Sequence, residues 1–168
     1  MCDYCGCRGV QPIGELMDEH DALGVQAHHV RAALGAGDHA AARTLLHALV
    51  EHLDRHVDRE EDGIFRALRA SGDFVDEVAG LEGEHRDLVA AVAVVDGLAL
   101  EASSFVATVT ALLDDLDVHI EREELGIFPV SVVTLGVSGW AIVDEAHDRS
   151  PSFLHDESVA QPTGLSRT

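Results

Sequence analysis

Two ten-residue segments of this 168-residue chain repeat one order of histidine and glutamate, 63 residues apart. Residues 56–65 are HVDREEDGIF, and residues 119–128 are HIEREELGIF. In each segment a histidine precedes a glutamate by four positions, as His56 precedes Glu60 and His119 precedes Glu123. On an α-helix this spacing puts both side chains on one face, one turn apart. An imidazole and a carboxylate held in this way can bind one metal ion together.

A shorter repeat lies upstream of each segment. Residues 18–23, DEHDAL, contain His20, and residues 83–88, GEHRDL, contain His85, which lies 65 positions later. Because the two offsets nearly agree, we interpret the chain as two helix pairs in tandem, each with one lone histidine and one His-x-x-x-Glu pair. The candidate metal ligands are His20, His56, Glu60, His85, His119 and Glu123.

A hydrogen-bonded core histidine is the ordinary interpretation of a lone histidine on an apolar helix face, and it would fit His20 or His85 taken singly. Two glutamates facing a bundle core would carry a large desolvation cost unless they were paired or metal-bound. The combined pattern therefore favours a metal site. Imidazole and carboxylate without thiolate suit iron, manganese or zinc, whereas calcium and magnesium prefer oxygen ligands throughout. Glutamates that face each other can each bridge two metals.

Four long segments, separated by glycine-rich breaks, must position these residues. Each segment starts with a residue that favours a helix N-terminus and carries apolar residues at helical spacing. The segments run from Pro12 to Leu34, from Asp38 to Ala70, from Asp73 to Gly97, and from Ser103 or Ser104 to just before Pro129. The apolar stripes of the second and fourth are Leu45, Leu46, Leu49, Leu53 and Val57, and Val106, Val109, Leu112, Leu113 and Leu116.

The sequence therefore predicts an all-α fold, an up-down-up-down four-helix bundle with the metal site in its core. We divide the chain into a cysteine-containing N-terminal segment at 1–11, the bundle at 12–129, and a C-terminal extension at 130–168. After Trp140 the chain lacks sustained helical periodicity. The extension is expected to be an irregular tail that lies on the surface or is partly disordered.

Charge and composition narrow the classes of partner. Thirty-one acidic against eleven basic residues give a net charge of −20, which disfavours nucleic-acid binding and membrane docking. The N-terminus has no secretory pattern and no apolar run could span a bilayer, so a cytoplasmic location is expected. The sequence identifies no protein partner and leaves the oligomeric state open.

The three cysteines all lie in the first seven residues, as Cys2, Cys5 and Cys7. Two interpretations stay open for them: exposed thiols on a terminal segment, or a role in redox chemistry or metal delivery. Tyr4, the only tyrosine, could fold back over the metal site.

The order His, His-x-x-x-Glu, His, His-x-x-x-Glu resembles that of the hemerythrin-like, or HHE cation-binding, proteins of bacteria. The resemblance covers about Ile13 to Pro129 and includes the Gly-Ile-Phe that ends both repeated segments. It implies a cofactor of two non-haem iron ions joined by a bridging oxo or hydroxo group. It also implies that His20 and His56 hold one iron, that His85 and His119 hold the other, and that Glu60 and Glu123 span both.

One departure from the family concerns a fifth histidine. Oxygen-carrying hemerythrins have it one turn before the lone histidine of the third helix, where this chain has Leu81. Without this fifth histidine, reversible oxygen storage is less assured, and one coordination position on the second iron could exchange ligands. Neighbouring side chains could replace the missing histidine, namely Glu84, Glu61, Glu124 or His52, but each has a more ordinary interpretation. Glu61 and Glu124 lie about 100° off the ligand face, and His52 fits an outer-layer or solvent-facing residue.

The resemblance implies a protein of oxidative-stress defence or of oxygen and iron handling. Dioxygen or hydrogen peroxide would be the small-molecule ligand, and an enzymatic activity would be catalase-like decomposition of peroxide. The alternative is a non-catalytic module that senses or stores iron or oxygen. Ferritin-like oxidation fits less well, because Glu82 lies three residues before His85 but Met17 holds the same place before His20.

Overall fold

The computed structural model describes residues 6–156, and every regular element in that range is helical. The helices are α1 (Gln11–Gly35), α2 (His39–Glu60), α3 (Arg66–Ser71), α4 (Val75–Gly97), α5 (Phe105–Arg122), α6 (Phe128–Thr134) and α7 (Val137–Arg149). Two π-helical segments, Glu61–Phe65 and Glu123–Ile127, continue α2 into α3 and α5 into α6. Short 3-10 helices lie at Cys7–Gly9 and Phe153–His155. The predicted all-α fold is confirmed.

The four long helices α1, α2, α4 and α5 form the bundle. Helix α1 packs along α2, α4 packs along α5, and α1 also touches α5. Buried apolar residues form two clusters, one containing Leu23, Leu49 and Leu116 and the other containing Met17 and Ile64. On each long helix the candidate ligands lie in sequence between residues of the two clusters, so a polar layer crosses an otherwise apolar core.

Helix ends follow the predictions at some positions and depart from them at others. The Asp38 side chain accepts a hydrogen bond from the amide of Ala41 and caps α2, as expected. The prediction that Asp73 caps α4 is wrong, because the chain enters that helix through Phe74 in a left-handed conformation with φ of 57°. Helix continues past Pro129, which lies in the first turn of α6, where its missing N–H is tolerated.

The irregular C-terminal tail starts later than the sequence predicts. Residues 137–149 form helix α7, which buries Val143 and Ala146 against α3 and the first π segment. Beyond it the chain is irregular apart from Phe153–His155, and Phe153 is fully buried in the core. The predicted loss of helix after Trp140 is therefore wrong for residues 141–149. The expected disorder falls partly on 157–168, which lie outside the described residues.

Two further expectations are corrected at the surface and at the N-terminus. Leu45 and Val106 are exposed, while the other predicted stripe residues are buried or half-buried. Cys7 is disulfide-bonded and buried in the second core cluster, so the interpretation as an exposed thiol is wrong for it. Cys2, Cys5 and Tyr4 lie outside the described residues. Within residues 6–156, no helix has both the length and the apolar character needed to cross a bilayer.

Candidate metal centre

All six predicted ligands meet in the middle of the bundle, and each is at most 4% exposed. They form two overlapping groups, and within each group one ligand atom per residue lies within 4.8 Å of the others. The first group is His20, His56, Glu60 and Glu123, and the second is His85, His119, Glu60 and Glu123. The two carboxylates are common to both groups.

Each carboxylate offers one oxygen to each histidine pair. Glu60 Oε1 lies 3.3 Å from His56 Nε2, while Glu60 Oε2 lies 3.5 Å from His85 Nε2. Glu123 mirrors this, with Oε2 at 3.3 Å from His20 Nε2 and Oε1 at 3.3 Å from His119 Nε2. None of these four buried oxygens has a hydrogen-bond partner. A buried carboxylate is strongly destabilising without a nearby positive charge, so the donor set fits a metal site.

Within each histidine pair the Nε2 atoms converge. They lie 2.8 Å apart in His20 and His56, and 2.9 Å apart in His85 and His119. Two nitrogens at about 2.1 Å from one metal, at right angles, would lie about 3 Å apart. The spacing of each pair therefore suits two adjacent ligands of a single ion.

A second layer of carboxylates faces the outer nitrogens of the four histidines and makes hydrogen bonds with three of them. Glu19 lies 2.7 Å from His56 Nδ1, and the equivalent Glu84 lies 2.9 Å from His119 Nδ1. The lone histidines are held by the opposite repeat, with Glu61 at 2.9 Å from His85 Nδ1 and Glu124 at 3.4 Å from His20 Nδ1. Carboxylates in this position fix the ring and direct the Nε2 lone pair toward a metal.

The ends of the repeated segments complete this arrangement. Phe65 stacks on His85 with ring planes 12° apart, and Phe128 stacks on His20 at the same angle. Both phenylalanines follow the shared glutamates through π-helical turns, a deviation that occurs often at functional sites. Neither the π turns nor the stacking was predicted from the sequence, although the Gly-Ile-Phe that ends both repeated segments indicated a shared role for these residues.

The comparison with protein families agrees with this geometry. The family described as hemerythrin HHE cation binding domain matches residues 11–131, well over half of the chain. The chain belongs to this family. It is therefore a cation-binding helical domain of a family that typically binds iron, and its His and Glu groups fit such a site. The searches of curated proteins and of solved structures found no match.

The two halves of this hemerythrin-family site differ in their exposure to solvent. The Glu19 side chain is 0% exposed, whereas its repeat equivalent Glu84 is 29% exposed. Arg59 donates to Glu19 at 2.7 Å and is 1% exposed, whereas Arg122, which pairs with Glu84, is 51% exposed. Arg59 is buried because α7 lies over it, with His147 2.8 Å from its guanidinium.

The ionisation of the metal-free site reflects its closely packed charges. Burial alone would lower the pKa of His56, but the carboxylates of Glu60 and Glu19 outweigh burial and raise the pKa to about 10. Burial also disfavours the charged form of Glu123 and alone would raise its pKa. The positive charge of His119 and the hydrogen bonds of the other histidines instead hold that pKa well below its usual range. Protons on the histidines thus take the place of metal charge, and metal binding must displace them.

No described side chain takes the place of the missing fifth histidine. Leu81 is buried in the second core cluster. The carboxylates of Glu61, Glu84 and Glu124 lie against the outer nitrogens of ligand histidines, so their predicted use as replacement ligands is not supported. His52 lies 3.0 Å from Gln26 and stacks on Phe153, away from the site.

Proposed function

We propose that this hemerythrin-family protein holds two iron ions, joined by a bridging oxo or hydroxo group, and that it binds dioxygen or reacts with hydrogen peroxide. The observation that carries the proposal is the pair Glu60 and Glu123, whose four buried oxygens make no hydrogen bond and each face one of the two histidine pairs. Two divalent or trivalent ions would neutralise this site. One ion would leave the other histidine pair facing unpaired carboxylate oxygens.

The protein supplies orientation and exclusion of water, while the metal supplies electrons and a place for a small ligand. The outer carboxylates hold the four imidazoles in one tautomer. Phe65 and Phe128 cover the faces of the two lone histidines. Leu81 offers no donor atom at the position where oxygen-carrying hemerythrins have a fifth histidine, so a metal held by His85 and His119 would lack that ligand and could bind the oxidant instead.

A peroxide-mixing experiment tests this proposal. The diferric protein is mixed with hydrogen peroxide, and evolved dioxygen is measured with an oxygen electrode against the same concentration of free iron. We expect turnover above the free-iron rate, and we expect Leu81→His to suppress it by filling the position beside His85 while keeping the iron. Leu81→Met is the matched control, because it preserves apolar volume at that position.

The outcomes separate the candidate functions. Absence of turnover above free iron would contradict the enzymatic activity. Reversible optical changes with dioxygen, without turnover, would then support oxygen binding alone. If iron binds without either response, storage or sensing of iron becomes the function, with the segment 137–156 as the part that could report loading because α7 contacts Arg59. Protease digestion of that segment at the same rate with and without iron would argue against sensing.

A further inference from the structure

The half of the site formed by His85 and His119 is the half that small molecules can approach. Its outer carboxylates are partly exposed, with Glu61 at 38% and Glu84 at 29%. The corresponding groups of the other half, Glu124 and Glu19, are 10% and 0% exposed. Helix α7 accounts for part of this difference, because its His147 lies 2.8 Å from Arg59, the partner of Glu19.

Two surface cavities end on this half. One of about 330 Å³ lies between α2 and α4 and has His85 in its wall. The other, of about 260 Å³, lies between α4 and α5 and has His119 in its wall. Both are large enough for a molecule of two to four atoms, because one water occupies only about 30 Å³ in the liquid.

The walls of the two cavities differ in polarity. Both cavities have three carboxylates in their walls, but the α2–α4 cavity also has four apolar side chains, Leu53, Val57, Leu88 and Val89. The α4–α5 cavity has two apolar side chains, Leu88 and Val118, and three carboxylates, Glu84, Asp87 and Asp115. A weakly hydrated, uncharged molecule enters an apolar cavity at lower desolvation cost. The α2–α4 cavity is therefore the better route for such a molecule.

The mouth of the α2–α4 cavity carries negative charge. Asp54, Asp58 and Glu61 lie in its wall, against one cation, Arg86. The chain as a whole has a net charge of −20. Fields of one sign around a cleft change the association rates of charged ligands by about 10-fold to 1,000-fold. Anions approaching this cavity are repelled, whereas neutral molecules are not.

We propose that uncharged oxidants, dioxygen or hydrogen peroxide, reach the metal centre through the α2–α4 cavity past Glu61 and His85, and that its acidic mouth slows the entry of small anions. This inference rests on the proposed function, because it names the route by which ligands reach the same site and the charge of the ligands that enter fastest.

Blocking each cavity in turn tests the route. Val89 and Val118 line one cavity each and are similarly exposed, at 62% and 57%, so tryptophan at either position is tolerated on the surface. Nitric oxide, an uncharged diatomic probe, is mixed rapidly with the diferrous protein and its optical change is followed. We expect Val89→Trp to slow association by about tenfold and Val118→Trp to leave it unchanged. Iron content and circular dichroism should match wild type in both.

Removing charge tests the selection against anions. Asp54→Asn/Asp58→Asn should speed azide association with the diferric protein severalfold, with a weaker dependence on salt, and leave the nitric oxide rate unchanged. Asp87→Asn/Asp115→Asn in the other cavity is the matched control and should change the azide rate less. In a third experiment, hydrogen peroxide is mixed with the Val89→Trp variant. A reaction slower than that of wild type means that peroxide shares the route, and a reaction at the wild-type rate refutes the route for peroxide.

Each failure points to a different error. If Val89→Trp leaves nitric oxide association at the wild-type rate, or if Val118→Trp slows it equally, the route is wrong while the proposed function stands. If the double asparagine variant leaves azide association unchanged, the charge selection is wrong. A wild-type protein that binds no iron overturns the proposed function, and the route with it.

Discussion

The buried Arg59 and its repeat equivalent Arg122 provide a matched pair for testing how burial sets the strength of an ion pair. Each arginine lies three residues after the histidine of its His-x-x-x-Glu pair. Arg59 pairs with Glu19, and Arg122 pairs with Glu84. Only Arg59 is buried, because α7 covers it. Replacing each arginine by methionine keeps most of the apolar stem and removes the charge.

The structure predicts very different costs for the two replacements. Arg59→Met leaves the Glu19 carboxylate, which is 0% exposed, without its cation, and breaking a buried pair from one side costs roughly 3–5 kcal/mol. Arg122→Met removes a half-exposed partner, and exposed pairs contribute about 0.2–1 kcal/mol. With a urea dependence of about 2 kcal/mol/M, the midpoint should fall by about 2 M for the first and by at most about 0.5 M for the second.

Urea unfolding followed by circular dichroism measures these shifts. Both variants are compared with wild type at one fixed excess of metal, because metal binding stabilises the native state by mass action. Glu19→Gln in the Arg59→Met background should recover part of the loss, since it removes the uncompensated charge. Equal midpoint shifts for Arg59→Met and Arg122→Met, or no recovery in the double variant, would refute this account of the buried network.

Three further predictions concern the site, the pH dependence and the C-terminal segment. Glu60→Gln should lower bound iron in both halves, measured by elemental analysis, because each oxygen of Glu60 faces a different histidine pair; loss of one iron only would contradict bridging. Burial, and then the positive charge of Arg59, lower the pKa of His147 to about 4, below its value in the unfolded chain. The contribution of neutral His147 to stability is therefore complete above about pH 6.5 and is lost as the pH falls toward 4. His147→Gln should therefore weaken the fall in the urea midpoint between pH 7 and pH 5, and an unaltered pH profile would argue against this assignment. Phe153→Ala should cost about 3–5 kcal/mol in urea unfolding because the ring is fully buried, whereas a loosely attached segment would give no change.

The bundle and the meeting of the ligands could be predicted because both depend on local spacing. A histidine and a glutamate four residues apart share a helix face in any helix, and apolar residues such as Leu49 and Leu116 fix that face toward the core. The tandem repeat then places equivalent residues on both helix pairs. Their role as metal ligands remains a prediction, since the structure shows the grouping and the family match shows a cation-binding domain.

Features that depend on tertiary contacts could not be predicted in this way. Arg59 and Arg122 hold the same place in the repeat, yet only one is buried, because α7 covers one side of the bundle. Helix α7 itself buries few residues, chiefly Val143 and Ala146, so its periodicity is weak. It packs against Gly63, where an added Cβ would lie 3.5 Å from the Ala146 side chain, an ordinary van der Waals distance.

The π-helical turns escaped prediction for a related reason. A π turn adds one residue to a helical turn, and helical periodicity read over a window does not resolve a single added residue. One turn follows Glu60 and the other starts at Glu123, and each places a phenylalanine on a lone histidine, as Phe65 on His85. The sequence showed the repeat of these residues but not the packing that they serve.

The measurement that tests the central claim most directly is the iron content of the purified protein together with its optical spectrum before and after azide. We predict about two irons per chain, as two overlapping groups of ligands require, and near-ultraviolet bands of a bridging oxygen on iron that shift when azide binds. One metal per chain, zinc in place of iron, or iron bands that ignore azide would contradict an accessible di-iron centre held by Glu60 and Glu123.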